Sequence, residues 1–406
     1  ELRIEENESG FKKEVYWVRN AGENELEVPM FLRPTSETAM YTMFPLWIRS
    51  HADLPLKIYQ MVNTFRYETK QTRSFIRVRE IHFFEAHTAH KDEAGATEQI
   101  GQDLEIVSNL MHELCLPVII AKRPIWDTFP GAWYTIGIDV IMPNGRTLQV
   151  ASCHHYLDQW AKEFEITYEG MNGESNYVHQ TTYGMSERLL GAIVGSHGDD
   201  AGLIMPPAVA PIQVIIIPVI RKGDEQRVME VVHNVNNILM SSSIRCKIDD
   251  RDLRPGQKYF DWEIKGVPLR LEIGPRDIDS NSVLAVRRTG GKDSIDLESI
   301  VDGVKNQLSF IDSELRKRSA SHKDGCVRKL PKIYSDESDV WHLDGEISDK
   351  FVYEFPFAGN DAEAEVIEKL TGMPILGYSI VEYETETTCV ITGKLTNRKT
   401  WIAKTY

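Results

Sequence analysis

The dipeptide Pro206-Pro207 separates two different orders of secondary structure along the 406 residues. Before it, runs of predicted strands are broken by turns and by few helices, an order that favours an antiparallel α+β sheet. After it, strand and helix alternate, beginning with an apolar, β-branched stretch at residues 212–220 that predicts a buried strand. That alternation is typical of a compact α/β domain. A chain of this length has room for about two or three domains, so we predict a multi-domain α+β protein.

Hydrophobic periodicity and turn residues place the individual elements. In the first part, the predicted strands are residues 15–18, 26–32, 57–68 and 75–85, and the predicted helices are 35–51, 91–114 and 184–197. In the second part, the predicted strands are residues 212–220, 245–249 and 269–273, and the predicted helices are 224–240, 256–265 and 300–316. The polar, basic residues 316–323 predict a linker, and residues 324–406 predict a third, small α+β unit.

Composition excludes several classes of protein. Hydrophobic residues make up 42% of the chain, which is enough for folded cores. No run of about 18 apolar residues is present, so no membrane span is predicted. The five cysteines are scattered and contain no CxxC pair, which argues against a disulfide framework and fits the reducing cytoplasm.

The net charge of −15 argues against a protein that wraps nucleic acid over its whole surface. A local basic cluster between residues 251 and 288 keeps a smaller RNA-binding surface open. Acidic residues are interspersed in that cluster, so a mixed, solvated surface is an equally good interpretation.

The segment Phe65-Arg66-Tyr67-Glu68 is the first candidate for chemistry. In a strand, residues two apart share a face, so Arg66 and Glu68 are predicted to point together. An arginine can clamp a phosphate through two hydrogen bonds, and a glutamate can accept a hydrogen bond from an exocyclic amine. The alternative is a half-exposed strand with a charged outer face.

The segment Gly184-Met185-Ser186-Glu187-Arg188 is predicted to open a helix rich in small residues. A cation in the first turn opposes the helix dipole, unless an anion is bound there by both the arginine and the helix end. The alternative is an exposed arginine at a frayed helix start.

Two further polar segments, residues 149–155 and 33–38, are candidates. The first contains Cys153-His154-His155, and adjacent side chains are poorly placed to converge on one metal ion. The wall of a polar pocket is therefore favoured over a metal site or a nucleophilic cysteine. For residues 33–38, helix capping is the plain interpretation.

Taken in order, these segments resemble the class II aminoacyl-tRNA synthetases, and among them the prolyl-tRNA synthetases of the archaeal and eukaryotic type. Residues 65–68 are similar to the family's motif 2, and residues 184–203 are similar to motif 3 with its arginine at Arg188. Residues 32–37, 53–57 and 85–90 are close to the prolyl-specific forms. Residues 249–256 and 266–275 resemble the family's anticodon-binding domain, and Ala403-Lys404-Thr405-Tyr406 resembles its ending in tyrosine.

The resemblance implies three domains. Residues 1–208 would form a class II catalytic domain, an antiparallel sheet flanked by helices. Residues 209–318 would form an anticodon-binding α/β domain, and residues 319–406 a small α+β C-terminal domain similar to the zinc-binding domain of relatives.

The sequence departs from the family pattern in three places. Motif 1, which forms the dimer interface in the family, is not found, so a homodimer is inherited from the resemblance alone. The four cysteines that hold zinc in many relatives match Ala358, Glu363, Cys389 and Ile391, so we expect no structural zinc. The spacing between motifs 2 and 3 leaves no room for the editing domain of bacterial relatives.

The resemblance also implies roles for individual residues. The catalytic residues would be Arg66 and Arg188. The ATP-binding residues would be Arg66, Glu68, Arg77, Val78, Gln149, Ser152 and Arg188. The proline-binding residues would be Thr35, Ser36, Glu37, Arg66, Trp126, Phe129 and His154. For the tRNA anticodon we expect Arg251, Arg254, Lys258 and Arg276, and we expect no metal held by the protein itself.

The implied reaction is attack of the L-proline carboxylate on the α-phosphate of ATP, with Mg²⁺ bridging the phosphates, and transfer to tRNA(Pro) in the cytoplasm. A pocket discriminates between substrates that differ by a small apolar group by only about 10–200-fold, so we expect some activation of cysteine or alanine.

Two alternative functions stay open. Another class II synthetase, such as a threonyl or seryl enzyme, would show exchange with a different amino acid. A catalytically inactive RNA-binding relative would lack the arginines of motifs 2 and 3, and both are present.

Overall fold

The computed structural model describes residues 14–68 and 71–406, and their contacts group them into two units. The first unit takes in the described residues of Glu1–Ser108, together with Val118–Ala192 and Gly325–Tyr406. The second unit takes in Asn109–Pro117 and Ile193–Asp324. Residues 1–13 of the predicted first domain lie outside the described residues. In the part of the chain that is described, no helix has the length and apolar character needed to cross a membrane.

The strands are numbered here in chain order. They are β1 (Tyr16–Ala21), β2 (Asn24–Leu32), β3 (Leu56–Phe65), β4 (Glu80–His90), β5 (Val118–Lys122), β6 (Tyr134–Ile141), β7 (Thr147–Leu157), β8 (Thr167–Glu169), β9 (Ser175–Tyr177), β10 (His179–Ser186), β11 (Val214–Pro218), β12 (Cys246–Ile248), β13 (Leu269–Ile273), β14 (Ser282–Arg287), β15 (Lys292–Asp296), β16 (Val327–Lys329), β17 (Lys332–Ser335), β18 (Trp341–Asp344), β19 (Val352–Pro356), β20 (Ile375–Ser379), β21 (Thr387–Thr388), β22 (Leu395–Thr396) and β23 (Lys399–Ile402).

The α-helices are numbered in the same way. They are α1 (Glu37–Tyr41), α2 (Phe44–Trp47), α3 (Glu93–Glu113), α4 (Gln159–Glu163), α5 (Arg188–His197), α6 (Glu225–Ser241), α7 (Pro255–Ile264), α8 (Pro275–Asp279), α9 (Ile300–Cys326) and α10 (Asp361–Thr371).

A ten-stranded sheet forms the centre of the first unit, in the order β16-β19-β23-β20-β5-β6-β7-β10-β4-β3. Its pairs are antiparallel except for β16 with β19, so the predicted antiparallel sheet of the first part is confirmed. Along the edge strand β3, side chains alternate between half-buried and exposed, as expected of an antiparallel sheet with one solvent-exposed face. Strand β7, in the middle, is buried along most of its length.

Aromatic side chains build the core behind this sheet. Tyr41, Phe44, Tyr156 and Trp160 are all fully buried and belong to one cluster. Tyr41 lies 5.8 Å from Trp160, ring centre to ring centre, in an edge-to-face arrangement that aromatic pairs prefer. This packing anchors the short helices α1 and α2 against β7, and the segment just before α1 carries candidate site residues.

The second unit is built on a five-stranded sheet in the order β12-β11-β13-β14-β15. Strand β11 is parallel to β12 and β13, as expected for strands joined through helices, and the other pairs are antiparallel. Helix α6 packs on this sheet through Val228, Val232, Val235 and Leu239, which repeat at helical spacing and are buried. The predicted α/β arrangement of this part is therefore confirmed.

Predicted and observed bounds differ by a few residues in several elements, for example in the strand predicted at 57–68, which ends at Phe65, and four predictions need a larger correction. The predicted helix at 35–51 is broken into α1 and α2, because Pro45 cannot donate a hydrogen bond inside a continuous helix and sits in the first turn of α2. The predicted strand at 75–85 begins only at Glu80. Residues 184–186 belong to β10, paired with β4 and β7, and the helix begins at Arg188.

The fourth wrong prediction is the linker at residues 316–323, which is helical and lies inside α9. The buried residues Leu308, Ile311 and Leu315 continue the apolar stripe up to that point. Beyond it, ion pairs one turn apart, Arg316 with Asp312 and Arg318 with Glu314, support the helix where apolar packing ends.

Residues 325–406 share the sheet of the first unit, because β16, β19, β20 and β23 extend it beyond β5. The contacts thus give two units where the sequence analysis has three domains. The three sets of boundaries stay a prediction.

Candidate active site

A cavity of about 240 Å³ lies in the first unit, against strands β4, β6, β7 and β10. Its lining comes from segments far apart in the chain. The lining residues are Thr35, Glu37, Arg66, Phe83, Arg123, Asp127, Phe129, Thr135, Gln149, Val150, Ala151, Ser152, His154, Thr182, Gly184, Met185, Ser186 and Arg188. The fold therefore brings the two predicted catalytic residues, Arg66 and Arg188, to one hollow.

Arg66 lies one residue beyond the end of β3. Its backbone N–H donates to the carbonyl of Arg79 at 2.9 Å, and its side-chain Nε donates to the carbonyl of Pro34 at 3.0 Å. The first bond fixes the backbone of Arg66, and the second holds Nε of its guanidinium at the cavity wall.

Glu68 does not share a strand face with Arg66, so that prediction is wrong. Strand β3 ends at Phe65, and the backbone N–H of Glu68 turns back to the carbonyl of Arg66 at 2.8 Å. The Glu68 carboxylate instead accepts a hydrogen bond from Arg77 Nη1 at 2.7 Å. Of the residues predicted to bind ATP, Glu68, Arg77 and Val78 lie outside the lining of this cavity.

Arg188 is the first residue of α5, and its Nε donates to the carbonyl of Ile76 at 2.7 Å. Burial lowers the pKa of its guanidinium, and the positive charges of Arg66 and Arg77 lower it further. The guanidinium groups of Arg66, Arg77 and Arg188 thus lie close enough for their charges to act on one another. Such a concentration of positive charge favours a ligand with several negative charges, such as a polyphosphate.

Glu37, which is 3% exposed, supplies a carboxylate at the cavity wall. The hydroxyl of Tyr156 donates to its Oε1 at 3.1 Å, and the hydroxyl of Thr35 donates to its Oε2. Both hydroxyls hold the carboxylate as an acceptor for a cationic ligand group. Ser36 turns away from the lining, and its hydroxyl donates to the fully buried Glu85 at 2.6 Å.

His154 lies on β7 with its ring 4.8 Å from the ring of Phe129, centre to centre. Burial lowers the pKa of His154 to about 3, and the nearby His87 and Arg123 act in the same direction. The imidazole is therefore neutral near pH 7. Together, Phe129 and His154 form an apolar and weakly polar part of the cavity wall.

A second cavity of about 350 Å³ shares Arg123, Asp127, Gln149 and Arg188 with the first. Arg77 and Trp126, two of the predicted site residues, line this second cavity and not the first. Gln149 and Arg188 therefore lie at the boundary between the two hollows.

The sequence analysis missed several lining residues, notably Phe83, Arg123, Asp127, Thr135 and Thr182. Arg123 is the clearest case. Its guanidinium is buried, contacts Asp139 at 2.8 Å and donates to the carbonyl of Leu376 at 2.6 Å. The only signal in the sequence is a cation directly after an apolar strand, which is too common to single out.

The adjacent Cys153 and His155 do not join His154. In a strand they share the opposite face, and His155 Nδ1 accepts a hydrogen bond from the backbone of Leu157 at 3.1 Å. Burial raises the pKa of the Cys153 thiol, so it is a poor nucleophile.

Within residues 14–68 and 71–406, no group of three or more His, Cys, Asp or Glu side chains is placed to hold a metal ion. At the positions that match the family's zinc ligands, Cys389 Sγ accepts a hydrogen bond from the backbone of Ala358 at 3.2 Å. Glu363 caps helix α10 by accepting from the backbone of Asn360 at 2.7 Å.

In the second unit, two of the four predicted anticodon residues are engaged elsewhere. Lys258 is buried, and its ammonium donates to the carbonyl of Asp249 at 3.0 Å. Arg251 forms ion pairs of 2.8 Å with both Asp249 and Asp261. Arg254 lies exposed directly before α7, and Arg276 lies in α8.

Comparison with known proteins shows two matching domain families. The tRNA synthetase class II core domain (G, H, P, S and T) matches residues 16–197. The anticodon binding domain matches residues 213–307. The first match contains the cavity with Arg66 and Arg188, and the second contains the five-stranded sheet.

Whole proteins match as well. The proline–tRNA ligase of Thermococcus kodakarensis is 48% identical, with 91% of this chain and 77% of that protein covered. The proline–tRNA ligase of Methanosarcina mazei is 44% identical, with 100% of this chain and 83% of that protein covered. A solved structure of Giardia lamblia prolyl-tRNA synthetase in complex with prolyl-adenylate has a TM-score of 0.88 and 33% identity, covering 98% of this chain and 83% of that one. The resemblance seen in the sequence is confirmed, and the chain belongs to the proline–tRNA ligases, a family of class II aminoacyl-tRNA synthetases.

Proposed function

We propose that this chain activates L-proline with ATP to form prolyl-adenylate and transfers the prolyl group to the 3′ end of tRNA(Pro). The observation that carries this proposal is the cavity in which Arg66 and Arg188 meet Glu37 and His154. One part of its wall is cationic and suits phosphates. Another part offers a carboxylate and two rings, which suits a small cyclic ammonium compound.

For the nucleotide, we assign Arg66 to the α-phosphate and to the carboxylate of proline, and Arg188 to the γ-phosphate and the leaving group. Gln149 and Ser152 line the same cavity and are assigned to ATP with them. Arg77, Glu68 and Val78 belong to the adjoining segment, where the Arg77–Glu68 ion pair of 2.7 Å would place the arginine beside the outer phosphates.

For the amino acid, we assign Glu37 to the secondary ammonium group, with Thr35 beside it. Phe129 and His154 would enclose the ring. Ser36 and Trp126 are weaker assignments, since Ser36 is bonded to Glu85 and Trp126 lines the adjoining cavity. Phe83, which lines the cavity, is an additional ring contact in this proposal.

In the first step, a carboxylate oxygen of proline forms a bond to the α-phosphorus of ATP, and the bond to pyrophosphate breaks. The step needs no protein nucleophile, because positioning and stabilisation of phosphoryl charge supply the catalysis. In the second step, a hydroxyl of the terminal adenosine of tRNA attacks the prolyl carbonyl and AMP leaves.

Mg²⁺ enters this proposal with ATP, as part of the nucleotide substrate. The cavity wall carries more guanidinium than carboxylate groups, so it suits the phosphates rather than a resident metal. Chelation with EDTA should abolish ATP–pyrophosphate exchange, and excess Mg²⁺ should restore it.

Exchange of ATP with pyrophosphate, measured with each of the twenty amino acids in turn, tests the proposed activity. Proline should give the dominant signal, with weaker exchange for cysteine and alanine because a pocket separates small apolar groups poorly. A dominant signal with threonine or serine would assign the chain to another specificity. No exchange with any amino acid would contradict the activity itself.

The second unit is proposed to read the anticodon of tRNA(Pro) within residues 249–288, where Arg254 and Arg276 remain available from the predicted set. RNA is recognised through unstacked, single-stranded bases, so anticodon substitutions should raise the KM for tRNA. The Arg254→Ala variant should show a similarly raised KM for tRNA(Pro) that carries its own anticodon. An unchanged KM for anticodon variants would contradict this assignment.

A homodimer in the cytoplasm completes the proposal. Large apolar side chains on the N-terminal strands lie exposed, with Val28 at 73%, Tyr59 at 72% and Met61 at 80%. Exposed apolar groups of this size favour a protein partner. All five cysteines are free thiols, which fits a reducing compartment. Light scattering should give twice the monomer mass, and a monomer mass would contradict the dimer.

A further inference from the structure

Strand β6 places the hydroxyl of Thr135 between two residues that the proposed function assigns to proline, Phe129 and His154. Thr135 is 3% exposed and pairs in register with His154 of β7. Its Oγ1 lies 2.8 Å from His154 Nδ1, and it accepts a hydrogen bond from the backbone N–H of Phe129 at 2.9 Å. One side chain thus contacts the loop that carries Phe129 and the ring that Phe129 packs on.

The hydrogen-bond chain continues from His154 to Ser152. His154 Nε2 lies 2.9 Å from Ser152 Oγ. In a neutral imidazole, one ring nitrogen carries a proton and the other accepts. The direction of the whole chain therefore depends on which ring nitrogen is protonated.

The hydroxyl proton of Thr135 decides the direction of this hydrogen-bond chain. Among the described residues, His154 Nδ1 is the one acceptor within hydrogen-bond distance of the Thr135 hydroxyl proton. If Thr135 donates to Nδ1, then Nε2 carries the ring proton and donates to Ser152. The Ser152 hydroxyl then has its own proton free to donate into the cavity, where a negatively charged ligand would accept it.

We propose that Thr135 is a positioning residue for amino-acid activation, which fixes the tautomer of His154 and thereby directs the Ser152 hydroxyl towards the nucleotide while holding Phe129 beside the proline ring. The inference rests on the proposed function, because it gives Thr135 its role through residues assigned to proline and ATP. Burial, which lowers the pKa of His154, keeps the ring neutral as the chain requires.

Thr135→Val tests this role, because valine keeps the shape of threonine and removes only the hydroxyl. Loss of the hydrogen bond to the neutral ring, and of the one accepted from the Phe129 backbone, should raise the KM for proline about tenfold and the KM for ATP by a smaller factor, with a lesser change in kcat. Thr135→Ser restores the hydroxyl and should return both KM values to within about twofold of those of the unaltered protein. Exchange kinetics and the thermal unfolding temperature are measured for each variant.

Thr400→Val is the matched control. Thr400 is a fully buried threonine on β23 of the same sheet, and its Oγ1 has no hydrogen-bond partner among the described residues. The same substitution there should leave both KM values unchanged. Equal losses in the two valine variants would overturn the role of Thr135.

A double-mutant cycle with His154→Ala separates action through the histidine from simple packing. Once His154 is gone, Thr135→Val should raise the KM for proline by less than it does in the unaltered protein, because only the bond accepted from the Phe129 backbone remains to be lost. A full additional loss, or a Thr135→Ser variant as impaired as Thr135→Val, would overturn the inference. Absence of proline-dependent exchange in the unaltered protein would instead contradict the proposed function, so the two failures are distinguishable.

Discussion

At the scale of one residue, Arg188 carries a buried positive charge in surroundings that favour a bound anion. Its charge is buried beside those of Arg66 and Arg77, and both effects lower its pKa. Like charges held together raise the energy of the folded protein until an anion joins them.

Arg188→Ala should therefore separate activity from stability. Exchange should fall by about 10²–10³-fold, the loss typical of removing one group that stabilises transition-state charge. The thermal unfolding temperature without ATP should stay the same or rise, because charge repulsion is relieved. Retention of more than about a tenth of the exchange rate would contradict the role of Arg188.

Tyr156 permits a second test at this scale, because its hydroxyl donates to Glu37 at 3.1 Å from the far side of the cavity wall. Tyr156→Phe should raise the KM for proline about tenfold, since hydrogen bonds to charged groups contribute about 1.5–3 kcal/mol. Tyr41→Phe is the control. Tyr41 is equally buried, but its hydroxyl contacts Thr182 at 3.1 Å and not Glu37, so the KM should not change.

Much of the cavity lining could be predicted from the sequence, but only for residues in segments that resemble the family. Thr35, Glu37, Phe129 and His154 all line the cavity as predicted, although their contacts with substrates stay predictions. Thr135 could not be predicted, because its importance comes from its register opposite His154. Register between distant strands is a tertiary property, and one residue of slip would turn the hydroxyl to the other face.

At the scale of elements, helix α9 is the clearest difference between sequence and structure. Polar composition at residues 316–323 predicted a linker, yet the helix continues to Cys326. Ion pairs one turn apart can support a helix that has no apolar stripe. Hydrophobic periodicity does not predict such a helical segment.

Ser321→Pro should therefore be strongly destabilising. Proline in a helix interior costs about 3 kcal/mol or more, whereas a true linker would tolerate it. Ser321→Ala at the same exposed position is the control and should be neutral or slightly stabilising. Urea unfolding followed by circular dichroism measures both, and equal midpoints for the two variants would contradict a continuous helix.

At the scale of the whole molecule, buried histidines should make stability depend on pH well above the range of carboxylates. Burial lowers the pKa of His90 to about 4, of His155 to about 4 and of His154 to about 3. In the unfolded chain their pKa would be about 6.5. Between about pH 6.5 and 4, these histidines thus bind protons in the unfolded chain but not in the folded chain. The free energy of unfolding therefore falls as the pH is lowered.

Asp103 opposes this trend, because burial raises the pKa of its carboxyl to about 6 and the folded chain then takes up a proton first. His197, whose pKa burial also lowers, adds to the fall in stability, whereas Asp127 and Glu187, whose pKa burial raises, oppose it as Asp103 does. The urea midpoint should fall from pH 7 to pH 5, and less steeply in a His90→Gln variant. A constant midpoint over that range would contradict the burial of these rings.

The second unit should lose further stability at lower pH, when Asp249 becomes protonated. Hydrogen bonds from Arg251, opposed by burial and supported by Trp262, hold the pKa of Asp249 well below its usual range. The stability from this carboxylate is present above about pH 4 and is lost as the pH falls further.

The ten-stranded sheet has a consequence for how the protein is made. One neighbour of β5 is β6, which follows it closely, but the other is β20, which the ribosome delivers only after the whole second unit. Until then, the backbone N–H and C=O groups along that side of β5 have no strand to pair with, and such an open edge invites association with other chains. Every newly synthesised molecule passes through this interval, so the time between translation of the two strands sets how long the nascent chain is exposed to aggregation.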